Sequence, residues 1–131
     1  FLLLAIAGFI ATSSCDVKST EETVDSASII GDPIKVGNLL VAQNDFPNKI
    51  NRKDAKKACA SLGPGWRLPT KEELKILYQN KDKIGGFSST NYWSSTEVNQ
   101  NFAWYQIFTF FFQDGAIKTY PSGYVRAIRS F

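Results

Sequence analysis

The residues of this chain that could do chemistry are few, because its 131 residues include two cysteines and no histidine. The lack of His excludes a Ser-His-Asp triad, a His-ligated zinc ion and an imidazole pH switch. The carboxylates Glu72 and Glu73 are adjacent on a predicted helix, where neighbouring positions point to different sides. We therefore expect no acid-base pair, no cofactor and no enzymatic activity.

Cys15 is the first of the two cysteines, and it follows an apolar run, FLLLAIAGFIA, at residues 1–11. This run is about half the roughly 20 residues that a membrane-spanning helix needs, so it is typical of a signal-peptide core. Ser13 and Ser14 before Cys15 resemble the end of a bacterial lipobox, although Thr12 replaces the usual Leu, Val or Ile. The pattern predicts acylation of Cys15; an ordinary cysteine in a conventionally cleaved leader is the alternative.

The composition changes along the chain and predicts three segments. Residues 1–14 form a lipoprotein signal peptide whose basic n-region is missing, and residues 15–32, rich in Ser, Thr and acidic residues, form a flexible tether. Residues 33–131 form one folded domain, although Ile29 and Ile30 could already begin its first strand. A lipid anchor predicts the bacterial cell envelope as location, at the outer membrane or cell surface. The net charge of +3 is spread thinly, so nucleic acid is not an expected partner.

Two helices are indicated by caps and apolar spacing. The first begins after Asn51 and ends at Gly63, and its apolar face includes Cys59, which we expect to be an inert core thiol. The second begins at Thr70, which forms a Thr-x-x-Glu capping box with Glu73. An exit loop over residues 80–86 is predicted to follow it.

The remaining sequence predicts strands. A β-rich opening covers residues 34–41, and four strands follow the helices: residues 91–97, 102–112, 116–120 and 124–130. Asp114 and Gly115 are the predicted turn after the long second strand of this set. Two helices followed by an antiparallel meander indicate an α+β fold.

Five sequence blocks carry a resemblance to a known family. They are AKKACASLG (55–63), GWRLPTKEEL (65–74), IGGFSSTNYWSSTE (84–97), AWYQIF (103–108) and YVRAIRSF (124–131). In this order they resemble the Lcl C-terminal, or major paralogous, domain of bacterial surface and secreted proteins, within the C-type-lectin-like superfamily. The resemblance implies two helices flanking a twisted antiparallel sheet, neighbouring end strands and a long loop region that presents a ligand surface.

Several residues of these blocks are expected to have structural roles. They are Trp66, Arg67, Pro69, Thr70, Glu73, Trp93, Trp104 and Arg126. Trp93 and Trp104 are predicted to pack in the core, since large aromatic side chains usually do. The Arg67 guanidinium is expected to bond loop carbonyls, with an anionic ligand as the alternative.

Tyrosines and a polar segment are the candidate ligand contacts. Tyr92, Tyr105 and Tyr120 suit half-exposed positions, where a ring can stack on a sugar or anchor a protein. Glu97, Asn99 and Asn101 supply further oxygens. The Glu-Pro-Asn and Trp-Asn-Asp triplets of calcium-dependent lectins are absent, and calcium needs about six to eight oxygens, so no metal is expected.

Two functional hypotheses follow. The first is a non-enzymatic envelope module that binds a glycan or a protein through the segment between Phe87 and Asn101 and the neighbouring aromatic residues. The alternative is a structural or assembly component of an envelope or adhesin complex that uses residues 110–112 as its interface. The oligomeric state is left open by the sequence.

Overall fold

The computed structural model describes residues 25–131. The apolar run and Cys15 lie outside the described residues, so the leader and the lipid anchor stay predictions. Within the described range, no helix is both long enough and apolar enough to cross a bilayer.

The described chain contains both helices and strands, with three successive helices between the second and third strands. The elements are α1 (Ser26–Ile30), β1 (Ile34–Val36), β2 (Leu39–Val41), α2 (Arg52–Ser61), α3 (Lys71–Gln79), α4 (Lys81–Ile84), β3 (Asn91–Glu97), β4 (Phe102–Ile107), β5 (Phe112–Ile117) and β6 (Ile128–Ser130). They form two three-stranded antiparallel sheets, with strand orders β1-β2-β6 and β3-β4-β5. The predicted α+β class is confirmed.

The β1-β2-β6 sheet joins the beginning and the end of the domain. Val41 pairs with Ile128 and Leu39 with Ser130 in antiparallel register. Arg67, in the segment that precedes α3, exchanges two backbone hydrogen bonds with Ile128, at 2.8 and 3.0 Å. The expected pairing of the two ends as neighbouring strands is therefore confirmed.

Helix α2 forms as its sequence predicts. The Asn51 side chain accepts a hydrogen bond from the backbone N–H of Asp54 at 2.9 Å, which caps the first turn. Ala55 and Cys59 face the core and are fully buried. Burial raises the pKa of the Cys59 thiol to about 12, and this group is therefore protonated and unreactive at neutral pH.

Helix α3 begins with the predicted capping box. The Thr70 hydroxyl accepts from the Glu73 N–H at 3.1 Å, and the Glu73 carboxylate accepts from the Thr70 N–H at 2.9 Å. The same carboxylate receives two hydrogen bonds from the Arg67 guanidinium, at 2.7 and 2.9 Å. Glu73 thus fixes the start of the helix to the preceding segment.

Replacement of Glu73 with Gln should lower the free energy of unfolding by about 1 kcal/mol at pH 7, since the pair is partly exposed. The hydrogen bond from Arg67 is the main cause that lowers the pKa of Glu73 below its usual value. A lowered folded-state pKa gives stability that is present above the unfolded pKa and is lost as pH falls through the folded pKa. Urea unfolding at pH 7 and at about pH 3 should therefore show a smaller difference between the two proteins in acid; an equal difference at both would contradict this.

The prediction of one long strand over residues 102–112 is wrong, because β4 ends at Ile107 and a turn covers residues 108–111. The Phe108 N–H donates to the Thr90 carbonyl at 3.1 Å, and the Thr109 hydroxyl donates to the Ser89 carbonyl at 2.9 Å. The first bond continues the pairing of β4 with β3 by one residue, and the second fixes the start of the turn. The predicted turn residues Asp114 and Gly115 lie within β5 instead.

The beginning of the domain also differs from the prediction. Residues 26–30 form helix α1, and Ile29 is buried in the core. The Gln43 N–H donates to the Ile30 carbonyl at 2.9 Å, which attaches this helix to the residues after β2. The packed domain therefore begins before residue 33, its predicted start. Within the predicted exit loop, residues 81–84 form helix α4.

The core surrounds two large aromatic side chains of β3. Trp93 is buried beside Ala103 and Val125, and its indole N–H donates to the Ile50 carbonyl at 2.7 Å. Tyr92 points to the opposite side of the strand and packs with the α3 residues Leu74 and Leu77. Trp93 therefore occupies the expected core position, and Tyr92 is a second core residue.

Candidate functional site

An irregularity at the end of β3 creates the most chemically distinctive surface of the described structure. The register of β3 against β4 shifts between Trp93 and Glu97. The Ser94 hydroxyl donates to the Trp104 carbonyl at 2.7 Å, and the Ser95 N–H donates to the Pro69 carbonyl at 2.8 Å. A β-bulge of this kind re-aims the groups of its strand, and here the carbonyls of residues 94 and 95 meet helix α2.

Arg52, the first residue of α2, donates hydrogen bonds to these carbonyls. Its side chain is almost fully buried and donates to the Ser94 carbonyl at 3.0 Å and to the Ser95 carbonyl at 2.6 Å. The third contact of the guanidinium is the Glu97 carboxylate, at 3.2 Å. Arg52 therefore fixes both the bulge and the position of Glu97.

Lys118, just after β5, holds the other oxygen of Glu97. Its ammonium group lies 2.9 Å from the carboxylate and donates to the Gln100 carbonyl at 3.0 Å. Hydrogen bonds from Lys118 and then Arg52 lower the pKa of Glu97 below its usual value. The carboxylate is therefore ionised at neutral pH and has both oxygens engaged, so it is poorly suited to exchange protons with a substrate.

A cleft of about 310 Å³ opens over this ion-pair network, and we name it the basic cleft. Its lining residues are Asn51, Arg52, Lys53, Lys56, Glu97, Lys118 and Thr119. Three lysines and one arginine against one carboxylate give the cleft a formal charge of +3. In the described part of the chain, neither Lys53 nor Lys56 has a carboxylate within 4.0 Å. The arrangement can attract and bind an anion, and the lining includes no His or Cys that could act as a nucleophile or base.

A second, smaller cleft adjoins the basic cleft. It has a volume of about 190 Å³ and shares Lys56 with its neighbour, and its other lining residues are Ala60, Trp66, Arg67, Leu68 and Ser95. The exposed side of α2 is therefore bordered by two depressions that meet at Lys56. A ligand larger than the basic cleft could extend past Lys56 toward the second cleft.

The three predicted tyrosine contacts have different environments. Tyr92 is fully buried and its hydroxyl donates to the Asp45 carboxylate at 2.5 Å, so it cannot contact a ligand in solution and that prediction is wrong. Tyr105 is half-buried, and burial, with the nearby charge of Asp114, raises its pKa. Tyr120 is 58% exposed and directly follows Thr119 of the basic cleft. Tyr120 is thus the predicted aromatic contact best placed beside the cleft.

The predicted polar contacts lie at the β3–β4 turn. Asn99 uses its side-chain oxygen to accept the N–H groups of Asn101 and Phe102, at 2.9 and 3.0 Å, so this oxygen serves the turn. Glu97 belongs to the basic cleft. Residues 91–97, within the expected contact segment between residues 87 and 101, form strand β3 with the predicted bounds. Among residues 25–131, no cluster of three or more His, Cys, Asp or Glu side chains could hold a metal ion.

The residues expected to be structural lie in or near the core, with one difference. Trp66 is buried, and Arg67 has Glu73 as its main partner besides the Leu68 carbonyl at 3.3 Å. Trp104 is half-buried instead of in the core, with the Lys71 ammonium 3.6 Å from its ring centre. Arg126 is buried and forms an ion pair with Asp45 at 2.7 Å.

The sequence-based prediction missed the lysines of the basic cleft. Lys53 and Lys56 are on the outer face of α2, where charged side chains are usually solvated. Their spacing of three residues was the available signal, since it places both on one side of the helix. Lys118 is more than 60 positions away in the sequence, and tertiary contacts such as the hydrogen bond from the Arg52 N–H to the Lys118 carbonyl, at 3.0 Å, bring it to the same place.

Comparison with known proteins identifies the fold and nothing finer. No family model matches the sequence, and neither does any curated protein sequence. The solved structure of EMS16, an antagonist of the collagen receptor integrin alpha2beta1, matches with a TM-score of 0.57 at 11% sequence identity. The match covers 76% of this chain and 97% of EMS16. The chain therefore has a C-type-lectin-like fold.

Proposed function

We propose that this C-type-lectin-like domain is a non-enzymatic module that binds an acidic glycan in the basic cleft. The observation that carries the proposal is the pair Lys53 and Lys56, which line the cleft and have no carboxylate within 4.0 Å in the described structure. Carboxylate, sulfate or phosphate groups of a sugar would supply the missing negative charge.

The rigidity of the cleft supports binding. Arg52 and Lys118 are held by backbone carbonyls as well as by Glu97, so their positions are set before a ligand arrives. Preorganised groups lose little conformational entropy on binding. Asn51 and Thr119 add amide and hydroxyl groups that suit sugar hydroxyls, and the volume is at the lower end of small-molecule sites.

The cellular setting is part of the same proposal. The five sequence blocks support membership of the Lcl C-terminal domain family, and the leader pattern supports a lipid anchor at Cys15 in the bacterial envelope. Mass spectrometry of the N-terminus of the protein from its native membrane tests the anchor. A chain that begins at an acylated Cys15 is the expected result, and an uncleaved leader or an unmodified Cys15 would refute it.

The double replacement of Lys53 and Lys56 with Glu should weaken binding of an acidic glycan by at least about tenfold, because it converts two attractive charges to repulsive ones. Binding should also weaken as salt is added, since the cleft is open to solvent. A glycan array of uronate-containing and sulfated oligosaccharides, followed by calorimetry on the hits, measures both effects.

The matched control is Lys57→Glu, which changes an exposed lysine of the same helix that does not line the cleft. It should retain at least half of the affinity. If the wild-type chain binds no acidic glycan, or if Lys57→Glu weakens binding as strongly as the double variant, the cleft is not the site. If the chain binds an acidic envelope protein and no glycan, the ligand of the cleft is a protein.

A further inference from the structure

We propose that the turn between β4 and β5 docks onto an anionic lipid surface. The turn and the first residue of β5 carry three consecutive phenylalanines, Phe110, Phe111 and Phe112, which we name the aromatic tip. Their exposed fractions are 56%, 46% and 41%. Contiguous exposed apolar surface of this kind marks an interaction site for protein or membrane.

The aromatic tip has a base that is fixed to the body of the domain. Phe108, at the base of the turn, is buried and stacks on Phe87, with ring centres 4.3 Å apart. The hydrogen bonds of residues 108 and 109 to the carbonyls of Thr90 and Ser89 fix the turn on its other side. Because its base is fixed, the tip presents its rings to solvent as a preformed surface.

Positive charge lies beside the tip. The ammonium group of Lys75 is 6.0 Å from the ring centre of Phe111, and that of Lys81 is 4.7 Å from the ring centre of Tyr78, which itself contacts Phe111 edge-on. In the described structure, no carboxylate lies within 4.0 Å of either ammonium group.

The wider surroundings of the aromatic tip are also positively charged. Over residues 71–84, four lysines stand against the carboxylates of Glu72 and Asp82, while Glu73 is neutralised by Arg67. The segment beside the tip therefore has a net charge of +1, or +2 when Arg67 is counted with it.

An anionic bilayer complements this combination of groups. Phenylalanine rings can enter the boundary between headgroups and acyl chains, while lysines beside them reach the lipid phosphates. Each lysine near such a surface strengthens binding roughly fivefold. A soft lipid surface needs no complementary groove and supplies the negative charge that the lysines lack, so it fits better than a second copy of the chain, which has the same positive charge at this place.

Docking of the tip would orient the basic cleft. The tip lies where β4 ends and β5 begins, whereas Glu97 and Lys118 of the cleft lie near the opposite ends of these strands. Six residues of strand separate the two ends by about 20 Å. A domain docked through its tip would therefore hold the cleft away from the lipid, open to ligands from outside. The docking itself does not depend on what the cleft binds.

Co-sedimentation of the full chain with vesicles tests the proposal. Phe110→Ser with Phe111→Ser should reduce partitioning onto vesicles of phosphatidylglycerol and phosphatidylcholine by at least about tenfold. Lys75→Glu with Lys81→Glu should remove the preference for these vesicles over phosphatidylcholine alone. Every variant retains residues 1–24, so any contribution of that segment is common to all.

The matched control removes a similar pair from the other sheet. Lys35→Glu with Phe131→Ser changes an exposed ring that has a lysine ammonium 4.7 Å from its centre, and it should leave partitioning unchanged. Hydrogen exchange on vesicle-bound chain should show added protection of the amides of residues 108–112.

Two results would overturn the proposal. One is unchanged partitioning in the Phe110 and Phe111 variant together with unchanged exchange at residues 108–112. The other is a stable oligomer, seen by light scattering without lipid, that the same variant dissociates. That outcome would assign the aromatic tip to protein assembly.

Discussion

Replacement of Arg126 with Met should lower the free energy of unfolding by about 3–5 kcal/mol, the usual range for removing one partner of a buried ion pair. The guanidinium is almost fully buried and donates to the Asp45 carboxylate at 2.7 Å and to the carbonyls of Ala42 and Gly85 at 3.2 Å. Its carbon also lies 4.2 Å from the ring centre of Phe87. The variant leaves these acceptors without their donor, and urea unfolding at pH 7 measures the loss.

Two comparisons separate the ion pair from a general effect of removing an arginine. Arg129→Met changes a half-buried arginine three residues later, with a more distant aromatic contact of 6.0 Å, and should cost less than about 1 kcal/mol. The double variant with Asp45→Asn should lose less stability than the two single losses together, because it removes the orphaned charge. A strictly additive double variant would show that the two groups do not act as a pair.

The pH dependence of the Arg126→Met effect gives a second check. Burial raises the pKa of Asp45, and Arg126 opposes this increase. Without the guanidinium, the folded protein should favour the protonated carboxyl still more. Stability linked to a raised pKa is present in acid and is lost as pH rises through the folded-state value. The loss caused by Arg126→Met should therefore be smaller at about pH 4 than at pH 7.

Replacement of Gly123 with Ala is expected to destabilise the domain by about 2–3 kcal/mol, near the upper end of overpacking effects. A methyl group at this position would lie 2.7 Å from Cδ1 and 2.8 Å from Nε1 of the Trp93 indole. That indole is buried and hydrogen-bonded to the Ile50 carbonyl, so it cannot move without losing both packing and its partner. Thermal and urea unfolding of the variant measure the change.

Gly115→Ala is the matched control for Gly123→Ala. The added methyl group would lie 3.1 Å from the Val98 side chain, which is exposed and able to shift, and 3.8 Å from Cβ of Phe102, an ordinary van der Waals distance. We expect a change below about 1 kcal/mol. Equal losses in the two variants would mean that a general effect of alanine in this sheet, and not the contact with Trp93, sets the stability.

Local sequence signals predicted α2, α3 and β3 well, but they missed α1 and α4 and placed the end of β4 too late. Asn51 and the Thr70–Glu73 box act within one turn of chain, so they marked the helix starts correctly. The run of phenylalanines after Phe108 has high β propensity, yet the turn depends on bonds to Ser89 and Thr90, about 20 positions earlier. Such nonlocal partners cannot be read from the run itself.

The candidate site was accessible to prediction only in part. Glu97 was identified because it ends a strand beside polar residues. Its partners Arg52 and Lys118 are separated from it by 45 and 21 positions, and the bulge that brings Arg52 to the strand has no distinct sequence signal. Tyr92 was misassigned because its hydroxyl suggested a half-exposed position, whereas Asp45 satisfies that hydroxyl inside the core.

The pairing of β6 with β2 has a consequence for the time at which the domain can fold. Ile128 is buried and bonds to both the first sheet and the Arg67 segment, so these parts stay unjoined until β6 has been synthesised. Contacts between such distant residues form slowly, because the chain must first close a long loop. A chain that lacks β6 therefore cannot complete its core, so the parts that precede β6 become one folded unit only after this strand has been added.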